Sequence, residues 1–297
     1  ITFDIKGDEE NGLNKTIVNS IRRTLLSDIP TVGFRTEVNN KDIIIMKNNT
    51  SLHNEFIEER IGLIPLFINP ENYNKNYLFI LNVDGNFDEA FKNIYINDFN
   101  VYPLKEDVDI EKIKDIDKNN YNIDTPLSDK EKEIMFRPFN FKGEKYYCLI
   151  TELKNSSSKN KQSLEIIGVP RVSTASEDAK WQAVSRASYT FKKDDSLFDR
   201  IALEKIKINN INKEDHSDYI NDLRISESER YFHRDNSSEP YWYEFNIDST
   251  HFYSSKDLFI QSCQIIIDQL ELFKNELPKL ISGDKSIFNL EEKQYIY

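Results

Sequence analysis

Between Ser254 and Leu277 the apolar residues Phe259, Cys263, Ile266, Leu270, Phe273 and Leu277 return at intervals of 4, 3, 4, 3 and 4. That rhythm belongs to a helix that lays a seam against another helix. Ser254 can cap its start, with Asp257 inside the first turn, and Pro278 falls near its end. Leu258, Ile265, Ile267 and Leu272 form a second apolar row, so the helix is apolar on more than one side. Its own domain, a neighbour or both must cover it. The pattern alone fits an ordinary core helix as well as one shared with another chain.

A second helix is expected over Asn11–Asp28, where Ile17, Ile21 and Leu25 recur every four residues and Val18 and Leu26 widen the stripe. That face is expected to be buried. Arg22 and Arg23 are adjacent, and neighbouring helical residues point about 100° apart, so at least one guanidinium must leave the apolar face. Pro30 makes Ile29 a boundary. Taken alone, the stretch reads as an amphipathic helix with two solvated arginines.

With 297 residues the chain has room for one or two domains and a sizeable core. A net charge of -12 opposes a nucleic-acid surface as its main business, though not a local basic patch. Phosphate-cradling glycine motifs are lacking. Cys148 and Cys263 form no CxxC pair, so no zinc ribbon is argued; both are expected to be small buried hydrophobes. No apolar run reaches membrane-spanning length. The sequence opens on Ile1, as a piece of a longer product would.

Strands are expected at Ile1–Lys6, Val32–Val38, Asp42–Met46, Tyr77–Val83, Ile94–Val101, Tyr146–Leu153, Ser163–Val169 and Tyr241–Ser249, with alternation at Ala187, Tyr189 and Phe191. Asn39-Asn40 and Asp84–Asp88 read as turns, the latter lacking the oxygen spacing of a calcium loop. Over Thr50–Pro65 a helix is expected with Thr50 or Ser51 as cap. Leu52, Phe56 and Ile57 share one face, and Gly62 takes a left-handed C-terminal position. His53 stands alone and suits a surface or capping role. Lys105–Glu133 reads as a charged excursion, Asn155–Asn160 as a flexible loop, and Lys192–Pro240 as a linker with one helix near Ser196–Lys207.

Several stretches then converge. Asn19 to Leu26 followed by Asp28-Ile29-Pro30-Thr31 resembles the signature of alpha-like subunits of cellular RNA polymerases, such as the bacterial alpha subunit and the third-largest subunit of eukaryotic RNA polymerase II. Asn54-Glu55-Phe56-Ile57 with Arg60-Ile61-Gly62-Leu63-Ile64-Pro65-Leu66 is similar to the helix that follows in archaeal and eukaryotic members. Asp178-Ala179-Lys180-Trp181 before Ala187-Ser188-Tyr189 looks like the family's His-Ala-Lys-Trp segment, with Asp178 in place of the histidine. Glu244–Ser249 and the long helix match the family's C-terminal strand and helix. The order of these motifs agrees with the family along most of the chain.

The resemblance implies an α+β fold: a discontinuous dimerisation domain over 1–34 and 183–281, an inserted mixed domain over 35–182, and a C-terminal extension over 282–297. Asn19, Arg22 and Arg23 would contact the second-largest catalytic subunit. Ile17, Ile21, Leu25, Phe259, Cys263, Ile266, Leu270 and Phe273 would face a smaller alpha-like subunit, separate or fused. Glu55, Phe56, Arg60, Gly62, Pro65, Lys180 and Trp181 carry the remaining family motifs. Further expected partners are the largest subunit and small assembly subunits, with DNA reached only indirectly and no membrane. No cofactor, metal or catalytic residue is expected in this chain, because magnesium and nucleotidyl transfer belong to the catalytic subunits. The expected location follows the polymerase, in the nucleus if cellular or in virion and host cytoplasm if viral. Many archaeal and eukaryotic members carry a cysteine cluster in the inserted domain, which this chain lacks; the habit of fused subunits and the Asn/Lys/Ile-rich composition lean towards a large eukaryotic DNA virus. An independent hydrolase would need a convergent acid, base or metal set, which Asp84, Asp88, His53 and Cys148 do not offer. A stand-alone DNA-binding regulator on a similar fold is opposed by the charge.

Overall fold

The computed structural model describes residues 1–8, 12–37, 41–73, 77–84, 90–104, 125–155 and 161–281. The expected turn at Asn39-Asn40, most of Asp84–Asp88, most of Asn155–Asn160, the 105–124 part of the charged excursion and the 282–297 extension lie outside the described residues. The fold mixes helices with strands, and every strand pairing described is antiparallel. Among the described residues no helix is long and apolar enough to cross a membrane.

The chain divides into two compact units. One gathers Ile1–Leu26, Val184–Ser249 and the helix Ser255–Ile281. Its sheet has the strand Trp242–Ser249 at the centre, flanked by Thr2–Lys6 and Val184–Phe191. Alternation along the central strand buries Tyr243, Phe245 and Ile247. The long helix closes over this sheet through Phe259, whose ring meets Phe3 edge-on at 5.1 Å.

The stretch expected to be mostly linker holds two helices of this unit, Asp195–Ile208 and His216–Glu227. Asp194 caps the first by accepting from the Leu197 amide at 2.9 Å. Phe198, Ala202 and Leu223 form a small separate core. So few apolar residues in so polar a stretch are why periodicity understated it.

The other unit holds Ser27–Ala183 with Thr250–Ser254 among its described residues. A four-stranded sheet runs in the order Ile43–Asn48, Leu164–Gly168, Tyr77–Val83, Asn100–Pro103. The helix Asn54–Gly62 contributes Ile57 and Ile61 to its core, together with Phe34, Phe79 and Phe99. Beneath these, the buried Asp42 carboxylate accepts from Arg171 Nε at 2.7 Å and from the Arg35 amide at 2.9 Å. Burial pushes the Asp42 carboxyl up, and Arg171 opposes that shift.

Several expectations need correction in this unit. The expected strand Ile94–Val101 is two strands, Phe91–Tyr95 and Asn100–Pro103, parted by a 3-10 turn. Asp98 makes the break by accepting from the Tyr95 amide at 2.8 Å. Tyr146–Leu153 is likewise split, with Leu149–Lys154 a separate strand. Within the charged excursion, Asp129–Phe136 is a helix whose capping box pairs Ser128 with Glu131. Cys148 is exposed, and Cys263 on the long helix of the first unit is only half-buried, so neither is the buried small hydrophobe expected.

Candidate functional site

The long helix changes character along its length. Leu258 and Ser262 are fully buried, and Phe259, Cys263, Ile265 and Ile266 are half-buried. From Ile267 onward nearly every described side chain faces water, including Leu270 at 62%, Phe273 at 59%, Leu272 and Leu277. Six heptad-like positions thus split into an inner part held by the unit's own core and an outer part bare in the isolated chain. Apolar side chains of this size, spaced as one seam, lose free energy by exposure at about 25 cal/mol per Å². The helix also runs on through Pro278 to Ile281, although proline withholds the amide that would bond one turn back. Burial pushes the Cys263 thiol up, opposed by a bond with Ser262, so it is no reactive thiolate.

On the helix Lys15–Ser27, Val18, Ile21, Thr24 and Leu25 are buried. Ile21 and Leu25, expected at the pairing surface, are already buried within the chain itself. Ile17, expected on the buried face, is 53% exposed, because the helix has only just begun there and Val18 takes the inward position. Arg22 is half-buried and its Nε donates to Asn19 Oδ1 at 3.0 Å. Arg23 is exposed. The pair therefore diverges, as adjacent helical positions require, with Asn19 orienting one guanidinium.

The second unit brings three residues distant in sequence together. Lys180 Nζ donates to Thr36 Oγ1 at 2.6 Å, and the Thr36 hydroxyl donates to Glu59 Oε1 at 2.5 Å. Asp178 caps the 3-10 turn Ala179–Trp181 through the Lys180 amide at 2.9 Å and places Oδ2 at 3.4 Å from Lys180 Nζ. Trp181 is fully buried, and its backbone carbonyl accepts from Thr31 Oγ1 at 2.9 Å. The helix start differs from expectation: Thr50 turns back on Asn48, its amide donating to Asn48 Oδ1 at 2.9 Å, which leaves His53 at the cap position without a side-chain bond. Gly62 ends the helix in ordinary helical backbone, not left-handed; Thr36 and Phe34 leave no room there for a side chain. Phe56 does not share the buried face with Ile57; it is exposed beside exposed Glu55, and Arg60 Nη2 reaches the Leu149 carbonyl at 2.9 Å. Pro65 is half-buried. Sequence reasoning missed Thr36 and Glu59, because neither belongs to a local pattern; only their bonds to Lys180 and to each other mark them.

Among the described residues, no group of three or more His, Cys, Asp or Glu is placed to hold a metal ion. What these surfaces offer is contact: an apolar seam, a diverging arginine pair and an internally bonded motif junction.

Comparison with known proteins agrees in kind. The family model described as the RNA polymerase Rpb3/Rpb11 dimerisation domain matches residues 9–270. The DNA-directed RNA polymerase subunit Rpo3 of Methanocaldococcus jannaschii is 32% identical over 90 residues, 26% of this chain and 44% of that protein. Rpo3 of Pyrobaculum arsenaticum is 38% identical over 56 residues, 18% of this chain and 19% of the relative. The DNA-directed RNA polymerases I and III subunit rpac1 of Dictyostelium discoideum is 30% identical over 63 residues, 21% and 16%. The matched stretches thus span less than half the length of each of these relatives.

Proposed function

Because this chain belongs to the RNA polymerase Rpb3/Rpb11 dimerisation domain family, we propose that it is an alpha-like assembly subunit of a multisubunit DNA-directed RNA polymerase. The observation that carries the reading is the outer half of the long helix, where Leu270, Phe273 and Leu277 continue an apolar seam that is exposed among the described residues. A smaller alpha-like subunit, separate or fused, takes that seam. The unit built from Ile1–Leu26 and Val184–Ser249 acts as the pairing domain, interrupted in sequence by the second unit. Asn19, Arg22 and Arg23 face the second-largest subunit, since guanidinium bonds bidentately to carboxylates and is weakly hydrated. The largest subunit and small assembly subunits complete the particle. Two-metal nucleotidyl transfer, with its magnesium, resides in the catalytic chains.

The test is co-expression with the candidate subunits. An affinity tag on this chain is expected to bring down a smaller alpha-like subunit and then the second-largest subunit, while the chain alone makes no RNA. Recovery as a lone monomer in their presence overturns the reading.

A further inference from the structure

Residues 137–147 of the second unit lie outside the residues assigned above to partner contacts. The strands Phe139–Phe141 and Glu144–Tyr146 form a two-stranded hairpin in which all six residues are exposed. Lys142 and Gly143 make the tight turn with positive φ of 50° and 87°. The register sets Phe139 opposite Tyr146 and Phe141 opposite Glu144, and residues directly opposite share a face. Three aromatic rings therefore stand on one open face. Phe139 is 69% exposed and Phe141 52%, so core packing does not account for either.

Two features narrow what would cover this face. The rings of Phe139 and Phe141 lie 15° from parallel with centroids 6.4 Å apart. That interval is close to two steps of about 3.4 Å between bases along a strand. Charge is the other. In a chain of net charge -12, this stretch carries Arg137, Lys142 and Lys145 against Glu144 alone; Arg137 stands over the Phe67 ring at 5.0 Å, so Lys142 is the cation beside the aromatic face. Lys142 Nζ stands 5.3 Å from the Phe141 ring centre, at the open tip. Glu144, the carboxylate of the aromatic face, already accepts from Tyr146 at 2.7 Å, and Lys145 on the opposite face is paired with Glu133.

We propose that this hairpin binds single-stranded nucleic acid, with bases stacking on Phe139 and Phe141 and Lys142 meeting a backbone phosphate. Aromatic platforms with flanking cations hold single strands with little sequence preference, because every base has a flat face. A duplex keeps those faces inside its own stack. The inference does not depend on the assembly reading, and either can fail without the other.

The experiment is fluorescence anisotropy of the purified full chain with labelled oligo(U), labelled oligo(dT) and a labelled DNA duplex at low salt. Single strands of either sugar are expected to bind at least about tenfold tighter than duplex. Phe139→Leu with Phe141→Leu keeps the apolar volume and removes the flat rings; it should weaken binding by about tenfold or more with an unchanged melting temperature. Lys142→Gln should reduce the log–log salt slope by about 0.7, one phosphate's worth on a single strand. Duplex bound as tightly as single strands overturns the proposal. So does a double leucine variant that binds like the parent, or a proline-rich peptide that binds the hairpin when the oligonucleotides do not.

Discussion

A side chain at Gly62 would collide with Thr36: a Cβ there would lie 2.8 Å from Thr36 Cγ2 and 3.3 Å from the Phe34 carbonyl oxygen. Helix propensity alone favours Gly62→Ala by about 1 kcal/mol. Overpacking costs about 1–3 kcal/mol, so the alanine variant is expected to be net destabilised. Adding Thr36→Ser removes the offending methyl but keeps the hydroxyl that joins Lys180 to Glu59. The double variant should regain most of the lost stability in thermal melts. A single variant as stable as the parent would show that the two elements are not packed as described.

Stability should fall in mild acid through His251. Burial pulls its imidazole down to about 4, against about 6.5 in an unfolded chain. The unfolded chain binds the proton more tightly, so the stability of the neutral ring is fully present above about pH 6.5 and is lost as pH falls through about 4. Roughly 2 kcal/mol should disappear between pH 7 and pH 5. Urea midpoints at those two pH values give the difference, and His251→Gln should shrink it. An equal pH response in parent and variant refutes the assignment.

Leu270 and Phe273 test the pairing seam with little risk to folding, because both side chains are exposed in the isolated chain. Replacing both with Asp should leave the melting temperature near that of the parent and abolish co-elution with the smaller alpha-like subunit. Each anchor in such a contact is worth about 2 kcal/mol or more, and buried unpaired carboxylates add to the penalty. Glu271→Lys, between them in sequence, should assemble normally. Continued co-elution of the double Asp variant would remove the seam as the pairing surface.

Arg22→Ala with Arg23→Ala should leave pairing intact and weaken recruitment of the second-largest subunit by about 2 kcal/mol or more, near thirtyfold. Separate pull-downs of the two partners decide it. Loss of the smaller subunit with retention of the larger would reverse the assignment.

What could be read from the sequence was local. The strand Tyr77–Val83 matches its expected bounds, and the long-helix seam was visible because a period of 3.5 lies within a few consecutive residues. Chemistry between distant positions was not legible. Lys180 and Thr36 are separated by 144 residues, Arg171 and Asp42 by 129, and no spacing rule links them. Single polar residues also overrode patterns, as Asp98 did by ending a strand that hydrophobicity alone would continue. Which apolar positions of the first helix face inward was only partly recoverable, since Ile17 and Ile21 look equivalent in sequence and differ entirely in burial.

The three-stranded sheet places its last-made strand, Trp242–Ser249, between Thr2–Lys6 and Val184–Phe191. During synthesis the amino-terminal strand therefore emerges long before its only described neighbour in the sheet exists. At about 5–20 residues per second, the delay is roughly 10–50 s. Within that interval residues 27–183 are themselves completed and can condense around their own core, while the amino-terminal strand has unpaired edges on the ribosome surface. Its alternating Thr2, Asp4 and Lys6 keep one side of that waiting strand polar, a guard against mispairing among nascent chains.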